Sequence, residues 1–431
     1  MDKINGLLQI LKEEVAPALG CTGPTSVSLA VAKAHDLVKG EVNQVKVLMD
    51  RDTYKNSISV GIPGTQYRGL EMAASLGAVA GDSDKGLEVL NGVQEKDEKK
   101  ALEKIKNNDI IIEIDWDRKG MGLYIEARVT TENGYGKAII HGTHTNFVYL
   151  EANDKVIYQA EESISDQAYK LDAPIAEYTI DDFIDFADGV DASELSIIKE
   201  TLDMNLQLAE AGLEGAMGSG FGKGWSTFDQ SNVIYKARAY VAAASDARMA
   251  GLDLPAMACA SSGNVGITAS IPVKVFADYL NSTQEELLKA VALSYLVTIY
   301  AKMHIGRLSP VCACAIAASL GVGAGCGYLK NLNHKQIGHV LSNIIGAIGG
   351  VLCDGAKEGC ALKLSVSIGI AMENVFLVEQ NAFIFDNQGL VGKNADESLE
   401  LLGKIARIGM VQADHVMSKE IIKRNASNKD N

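Results

Sequence analysis

The sequence has no excess of positive charge: 40 Lys and Arg stand against 55 Asp and Glu, for a formal net charge of −15. A field of that sign repels polyanions, which excludes nucleic acid and anionic membrane surfaces as natural partners. An export leader is missing as well. The N-terminal stretch MDKINGLLQILKEEVAPALG mixes charges into its apolar period and has no apolar core followed by small cleavage-site residues, so the expected location is the cytoplasm. Repeats, low-complexity runs and Pro-rich linkers are absent, so only a change of periodicity marks a domain boundary. Long hydrophobic runs are scarce. The most membrane-like stretch, PVCACAIAASLGVGAGCGYL (310–329), consists mainly of Ala, Gly, Cys and Val, which predicts a buried helix with a Gly-rich exit rather than a membrane span. The histidines do not cluster: His141 and His144 lie in strand-like sequence, which disfavours a zinc hydrolase. GSGFGKG (218–224) has no preceding strand and no Lys-Ser/Thr ending, so it is expected to be a loop and not a phosphate cradle.

What is present is enough chain for two cores, because one core rarely grows beyond about 250–300 residues. Residues 1–18 have helical periodicity, and a helix is expected to begin near Thr22 or Gly23, with Val27, Ala30, Val31, Ala34 and Leu37 on one face. β-Branched residues and turn signals follow from 44 onward, interrupted by a helix in GLEMAASLGAVAG, and DIIIEIDWD, the stretch 122–144 and KVIYQAEE have strand character. Beyond 170 the texture changes to Ala- and Leu-rich segments (195–214, 229–250, 272–301, 310–321, 335–352) with little strand signal. The expected fold class is α+β: a mixed α/β domain over 1–165, then a larger, mostly helical domain over 166–431. The last residues, SKEIIKRNASNKDN, are expected to fray.

Seven cysteines occur, and in a reducing compartment an odd count argues against a disulfide framework. In VLCDGAKEGC (351–360), Gly355 and Gly359 allow a turn that folds Cys353 and Cys360 together, although two ordinary buried thiols fit the same residues. Ser309-Pro310 predicts a helix start with Cys312 in the first turn, among free amides that favour a thiolate. On such a helix Cys314 points the other way, so Cys312 is the expected ligand and Cys314 a packing residue. Cys21, in GCTGP, precedes a helix whose N-terminus should lower its pKa below the usual ~8.5, the alternative being burial as a small hydrophobe. In CASSGNVGITASIPV, Ser261, Ser262, Gly263 and Asn264 form a polar turn leading to a helix and can offer amides and hydroxyls to a carboxylate. Cys259 and Cys326, among Ala and Gly, are expected to pack.

Taken together, EVAPALGCTGPTSVSLAVAKA, SSGNVGITASIPV, GRLSPVCACAIAA and LCDGAKEGCALK resemble the L-cysteine desulfidase family and, more distantly, the α-portion of the iron–sulfur L-serine dehydratases. The resemblance extends over nearly the whole chain, including RGLEMAASLGAVAGDSDKGLEVL. It implies a 4Fe-4S cluster held by one cysteine of the CAC stretch and by Cys353 and Cys360, leaving one iron open for substrate. It also implies Cys21 as the base for the substrate α-proton and the SSGN turn as the carboxylate site. The expected reaction converts L-cysteine and water to hydrogen sulfide, pyruvate and ammonia without pyridoxal phosphate. An L-serine dehydratase using the same apparatus, and a non-catalytic cluster-binding or metal-sensing protein, are the alternatives. The expected partner is a small amino acid, and a homo-oligomer is compatible with the sequence.

Overall fold

The structure is a computed structural model that describes residues 3–116, 118, 123–160, 174–215 and 217–427. It is a mixed α+β chain, with a sheet in its N-terminal region and helices dominating the remainder. The strands are β1 (Val15–Leu19), β2 (Val42–Asp50), β3 (Ile110–Asp115), β4 (Leu123–Thr131), β5 (Gly134–Gly142), β6 (Phe147–Ala152), β7 (Lys155–Gln159) and β8 (Pro255–Cys259). Six of them form one sheet in the order β3-β2-β4-β5-β6-β7, in which only the β2–β3 pair is parallel. Alternation decides which face is buried. Val45, Val47 and Met49 on β2 and Ile125, Ala127 and Val129 on β4 are fully buried, under the helices Thr22–Asp36 and Leu70–Ala80. Burying each larger side chain contributes about 1.5–3 kcal/mol.

The second core is helical. Its centre is the helix Gln284–Ile305, started by a capping box between Thr283 and Glu286 and buried without interruption from Ala290 to Ile305. A helix with no polar stripe has to be surrounded. Gly263–Leu280 and Ile316–Leu329 pack against it. The uncharged stretch 310–329 therefore contributes a buried helix. Its helix, Ile316–Leu329, is too short to cross a membrane; among the described residues one helix, Cys360–Glu379, has the length and composition to do so, and 61% of its apolar window is packed inside the protein.

Several expectations are revised. The first helix ends at Glu14 and β1 follows, paired antiparallel with β8, so Leu7, Leu11 and Val15 join the helical core and not the sheet. Pairing between segments so far apart leaves no mark on local periodicity. The apolar segment 272–301 is two helices, divided at Asn281, whose φ of +55 caps the first. The C-terminal stretch expected to fray is helical through Ser427, because Asp414 and Ser418 are buried against the rest of the chain; residues 428–431 lie outside the described residues. The change of texture placed near 160–180, and the end of KVIYQAEE, fall partly on 161–173, also outside them.

Candidate active site

A cavity of about 90 Å³ lies where the sheet region meets the helical core. Cys21, Ser261, Ser262, Asn264, Cys312, Cys314, Cys353 and Cys360 all line it. Five of the seven cysteines thus share one space, and all seven are free thiols. Cys259 and Cys326 are fully buried in the helical core.

Cys312 is not in the first turn of a helix. The regular helix begins at Ile316, and Val311 instead forms an antiparallel bridge with Leu352. The Cys312 amide donates to the Val351 carbonyl at 2.8 Å and the Cys353 amide to the Pro310 carbonyl at 2.7 Å. Ser309 still caps, but it accepts from the Val311 amide at 3.2 Å in a short turn. The Cys312 carbonyl then accepts from Ala315 and Ile316 at 3.0 and 2.8 Å, which turns the chain at 313–315. Without a regular helix Cys312 and Cys314 do not face opposite ways: their thiols are hydrogen-bonded, and Cys312 also bonds Cys353. Those bonds hold the Cys314 and Cys353 thiols below the ordinary range and Cys312 above it. Lys55 and Lys363 add positive potential at Cys353.

The 353–360 loop turns at Gly355, whose φ is +91 and where a Cβ would stand 2.3 Å from the Lys55 carbonyl oxygen. Only glycine fits. Cys360 opens the helix Cys360–Glu379 and donates to the Gly355 carbonyl at 3.8 Å; burial, then the nearby Cys314, push its pKa up to about 12.

Cys21 N-caps the helix Thr22–Asp36, as its sequence suggests. The expected lowering of its pKa is not found. Burial pushes the thiol above its ordinary value, and the Arg248 guanidinium and the Gly23 amide oppose that only in part. Asn56 joins the two halves of the thiol set: its carbonyl accepts from Cys21 Sγ at 3.8 Å and its Oδ1 from Cys353 Sγ at 3.9 Å.

The SSGN turn is committed to protein partners. Ser261 Oγ accepts from Arg307 at 3.1 Å, Ser262 Oγ is 3.7 Å from Cys314 Sγ, and Asn264 bonds Arg248 and Ser245. Gly263 is not among the lining residues and lies beneath Arg248 instead. Sequence reasoning missed Asn56, Arg248, Lys302 and His144, which line the same cavity. Lys302 carried a signal: it is a lone charge inside the apolar run TIYAKMHI. Burial, and after it the neighbouring Lys302, depress the His144 pKa to about 3, so this imidazole is neutral at physiological pH. His141, on β5, is not among the lining residues.

GSGFGKG forms a turn and the short helix Phe221–Trp225, and its amides surround an internal acid: Gly222 N–H donates to Asp246 Oδ2 at 2.8 Å, with Ser219 and Phe221 adding theirs. The anion it holds is part of the chain.

Among the described residues no three His, Cys, Asp or Glu side chains converge as a single metal ion requires. Thiols that bind separate irons of one cluster do not have to converge on a point. What the cavity provides is soft sulfur donors under positive potential, a base candidate across from them, and buried cations.

A family profile described as serine dehydratase alpha chain matches residues 84–418. A UPF0597 protein of Caldanaerobacter subterraneus subsp. tengcongensis is 40% identical over 420 residues, covering 97% of this chain and 98% of that protein. A UPF0597 protein of Clostridium tetani is 37% identical over 424 residues, covering 98% and 100%. One of Clostridioides difficile is 36% identical over 418 residues, covering 95% and 97%. With four of the five cavity thiols and the polar turn inside the matched segment, the chain belongs to the serine dehydratase alpha-chain family and to its UPF0597 relatives.

Proposed function

We propose that the protein is an L-cysteine desulfidase, a carbon–sulfur lyase that converts L-cysteine and water to hydrogen sulfide, pyruvate and ammonia. The observation that carries this reading is the gathering of Cys21, Cys312, Cys314, Cys353 and Cys360 around one small cavity. Family membership supports a lyase that removes a β-substituent from an amino acid. The proposed setting is the reducing cytoplasm, in keeping with free thiols.

The donor set fits a 4Fe-4S cluster, with Cys312, Cys353 and Cys360 as ligands. Cys312 is preferred over Cys314 because its backbone is fixed by the bridge to 351–353, whereas Cys314 sits in the 313–315 turn. Lys55 and Lys363 favour the anionic form of the Cys353 sulfur. When bound, the cluster supplies Lewis acidity toward the leaving β-substituent.

The chain's own residues do the rest. Cys21 takes the α-proton onto Sγ, and its raised pKa makes the thiolate a stronger base once formed. The Gly23 amide and Arg248 stabilise that thiolate. Ser261, Ser262 and Asn264 orient the substrate carboxylate beside Arg248, and Gly263, outside the cavity lining, seats that guanidinium. Loss of the α-proton and of the β-sulfur leaves 2-aminoacrylate, which water hydrolyses to pyruvate and ammonia.

A second reading, L-serine dehydratase, is favoured by the description of the matching family. It keeps every residue role and changes only the leaving group from sulfide to hydroxide. Anaerobic assay of both amino acids with iron-loaded protein separates the two.

A further inference from the structure

The helix Cys360–Glu379 does not bury all of its apolar surface. Most of its circumference packs into the helical core, but Leu362, Val366 and Leu377 are 42%, 40% and 49% exposed. Together with Glu373 they follow one another at intervals of four, seven and four residues, which sets all four within about 60° of the helix circumference. That is the narrow seam by which one helix packs along another, not the broad face of a helix lying on its own core. A lone exposed leucine needs no explanation, whereas a row running over about four turns marks an interaction surface. The row is widened on one side: Trp225 Nε1 donates to Ser365 Oγ at 3.0 Å, and Phe228, also half-exposed, packs on Trp225 with ring centroids 5.0 Å apart.

The middle of the row carries a loosely made charge pair. Arg238 lies across the helix at Gly369, where a Cβ would stand 2.0 Å from its Nη2, and that same nitrogen reaches Glu373 Oε1 only at 3.4 Å. This is long for a charge-assisted hydrogen bond, the Glu373 side chain is 50% exposed, and Arg238 Nε is buried with no partner. Both charges can therefore take a further partner of opposite sign.

The order of the row suits a second copy of itself. Reversed about Gly369 and Ile370, it sets Leu362 of one copy against Leu377 of the other and Val366 against the methylenes of Glu373. The same reversal brings each Glu373 carboxylate within reach of the other copy's Arg238, so the charges complement each other twice across the axis. An unrelated partner would have to supply both the apolar row and the reversed charges; a second copy already has both. A bilayer would have to bury Glu373 in the middle of the seam, which opposes membrane contact.

We propose that this row is a self-association surface through which two copies of the chain pair as an antiparallel, two-fold dimer. Each copy keeps its own cavity, and because the helix begins at Cys360, pairing braces the element that carries one of the cavity thiols. The dimer does not rest on the lyase reading above.

Full-length, iron-loaded protein is examined by sedimentation equilibrium under anaerobic conditions. The parent should have twice the chain mass of 45.9 kDa. Val366→Arg should raise the dimer dissociation constant at least about thirtyfold, the worth of a central interface residue, and should keep the parent's circular dichroism and iron content because the site is on the surface. Glu373→Arg should also weaken pairing, and adding Arg238→Glu should restore it, separating reciprocal charge contact from a folding defect. The register is tested by cross-linking: Leu362→Cys combined with Leu377→Cys should give a disulfide-linked dimer on mild oxidation, and either alone should not. A monomeric parent at about 100 μM, far above the range of stable dimers, overturns the proposal. So does a dimer that survives Val366→Arg unchanged, since its contact would then lie elsewhere, or a monomeric parent that binds phosphatidylcholine vesicles through Val366, which would make the row a membrane contact.

Discussion

Cys312 and Cys353 lie side by side because each lends its backbone amide to the other's strand, Cys312 to the Val351 carbonyl at 2.8 Å and Cys353 to the Pro310 carbonyl at 2.7 Å. This two-rung bridge makes one sulfur site out of two loops. With Cys360 held by the turn at Gly355, it forms the side of the cavity proposed to hold the cluster, and Cys21 stands within the same space.

The ligand assignment predicts a graded response to Ser substitution. Protein purified without oxygen should carry about four irons per chain, and Cys353→Ser or Cys360→Ser should lose most of them. Cys312→Ser should behave likewise, and Cys314→Ser should keep its iron with a weaker packing defect. Iron analysis decides it: full iron in Cys312→Ser with loss in Cys314→Ser would exchange the two roles.

Gly355→Ala tests whether the loop backbone matters as much as its sulfurs. A Cβ there meets the Lys55 carbonyl at 2.3 Å on a left-handed backbone, so the loop must shift. Iron content should fall although every thiol remains. Wild-type loading in this variant would mean that the loop relaxes without moving its sulfurs.

Much of this was legible in the sequence and some was not. β-Branched residues and turn signals marked the strand region from 44 onward, where β2 falls at Val42–Asp50, and the Gly-flanked Cys21 marked a helix start that falls at Thr22. Local patterns failed where distant segments decide. The bridge to Leu352 displaced the expected helix start at Pro310, and with it the argument that Cys312 and Cys314 face apart. The β1–β8 pair, the Arg248 link between Gly20 and Asn264, and the burial that raises the Cys21 pKa are likewise properties of tertiary contact.

Lys55 anchors the C-terminal helix behind this loop. Its Nζ lies 2.5 Å from Asp414 Oδ1 and 3.2 Å from Asp52 Oδ1, with the Lys55 and Asp414 side chains fully buried. Lys55→Met leaves the two buried carboxylates with Arg51 alone, 3.3 Å from Asp414 and 4.0 Å from Asp52, and should cost about 3 kcal/mol, read as a lower midpoint in urea unfolding. A midpoint equal to that of the parent would show the network to be dispensable.

The pH profile follows from the burial of Cys21. A base acts only when deprotonated, so kcat rises with pH; because the thiol pKa is raised, that rise should lie above the ordinary thiol value of ~8.5. His144, neutral throughout, should add no step between about pH 5 and 8. A plateau already reached at pH 7 would remove Cys21 from the role of base.

Cys21→Ser separates chemistry from cluster binding. It should keep the iron content and absorbance of the parent and lose turnover by about 10² to 10⁴, the usual range for a positioned general base. Loss of iron would make Cys21 a ligand, and near-normal turnover would make it a packing residue.

The central claim is that the five-thiol cavity cleaves a carbon–sulfur bond. The most direct measurement is an anaerobic comparison, with iron-loaded protein, of sulfide and pyruvate release from L-cysteine against pyruvate release from L-serine. The account predicts equal amounts of sulfide and pyruvate from L-cysteine, at a kcat/KM well above that for L-serine. Turnover of L-serine with the higher kcat/KM, or release of no sulfide at all from L-cysteine, would contradict it.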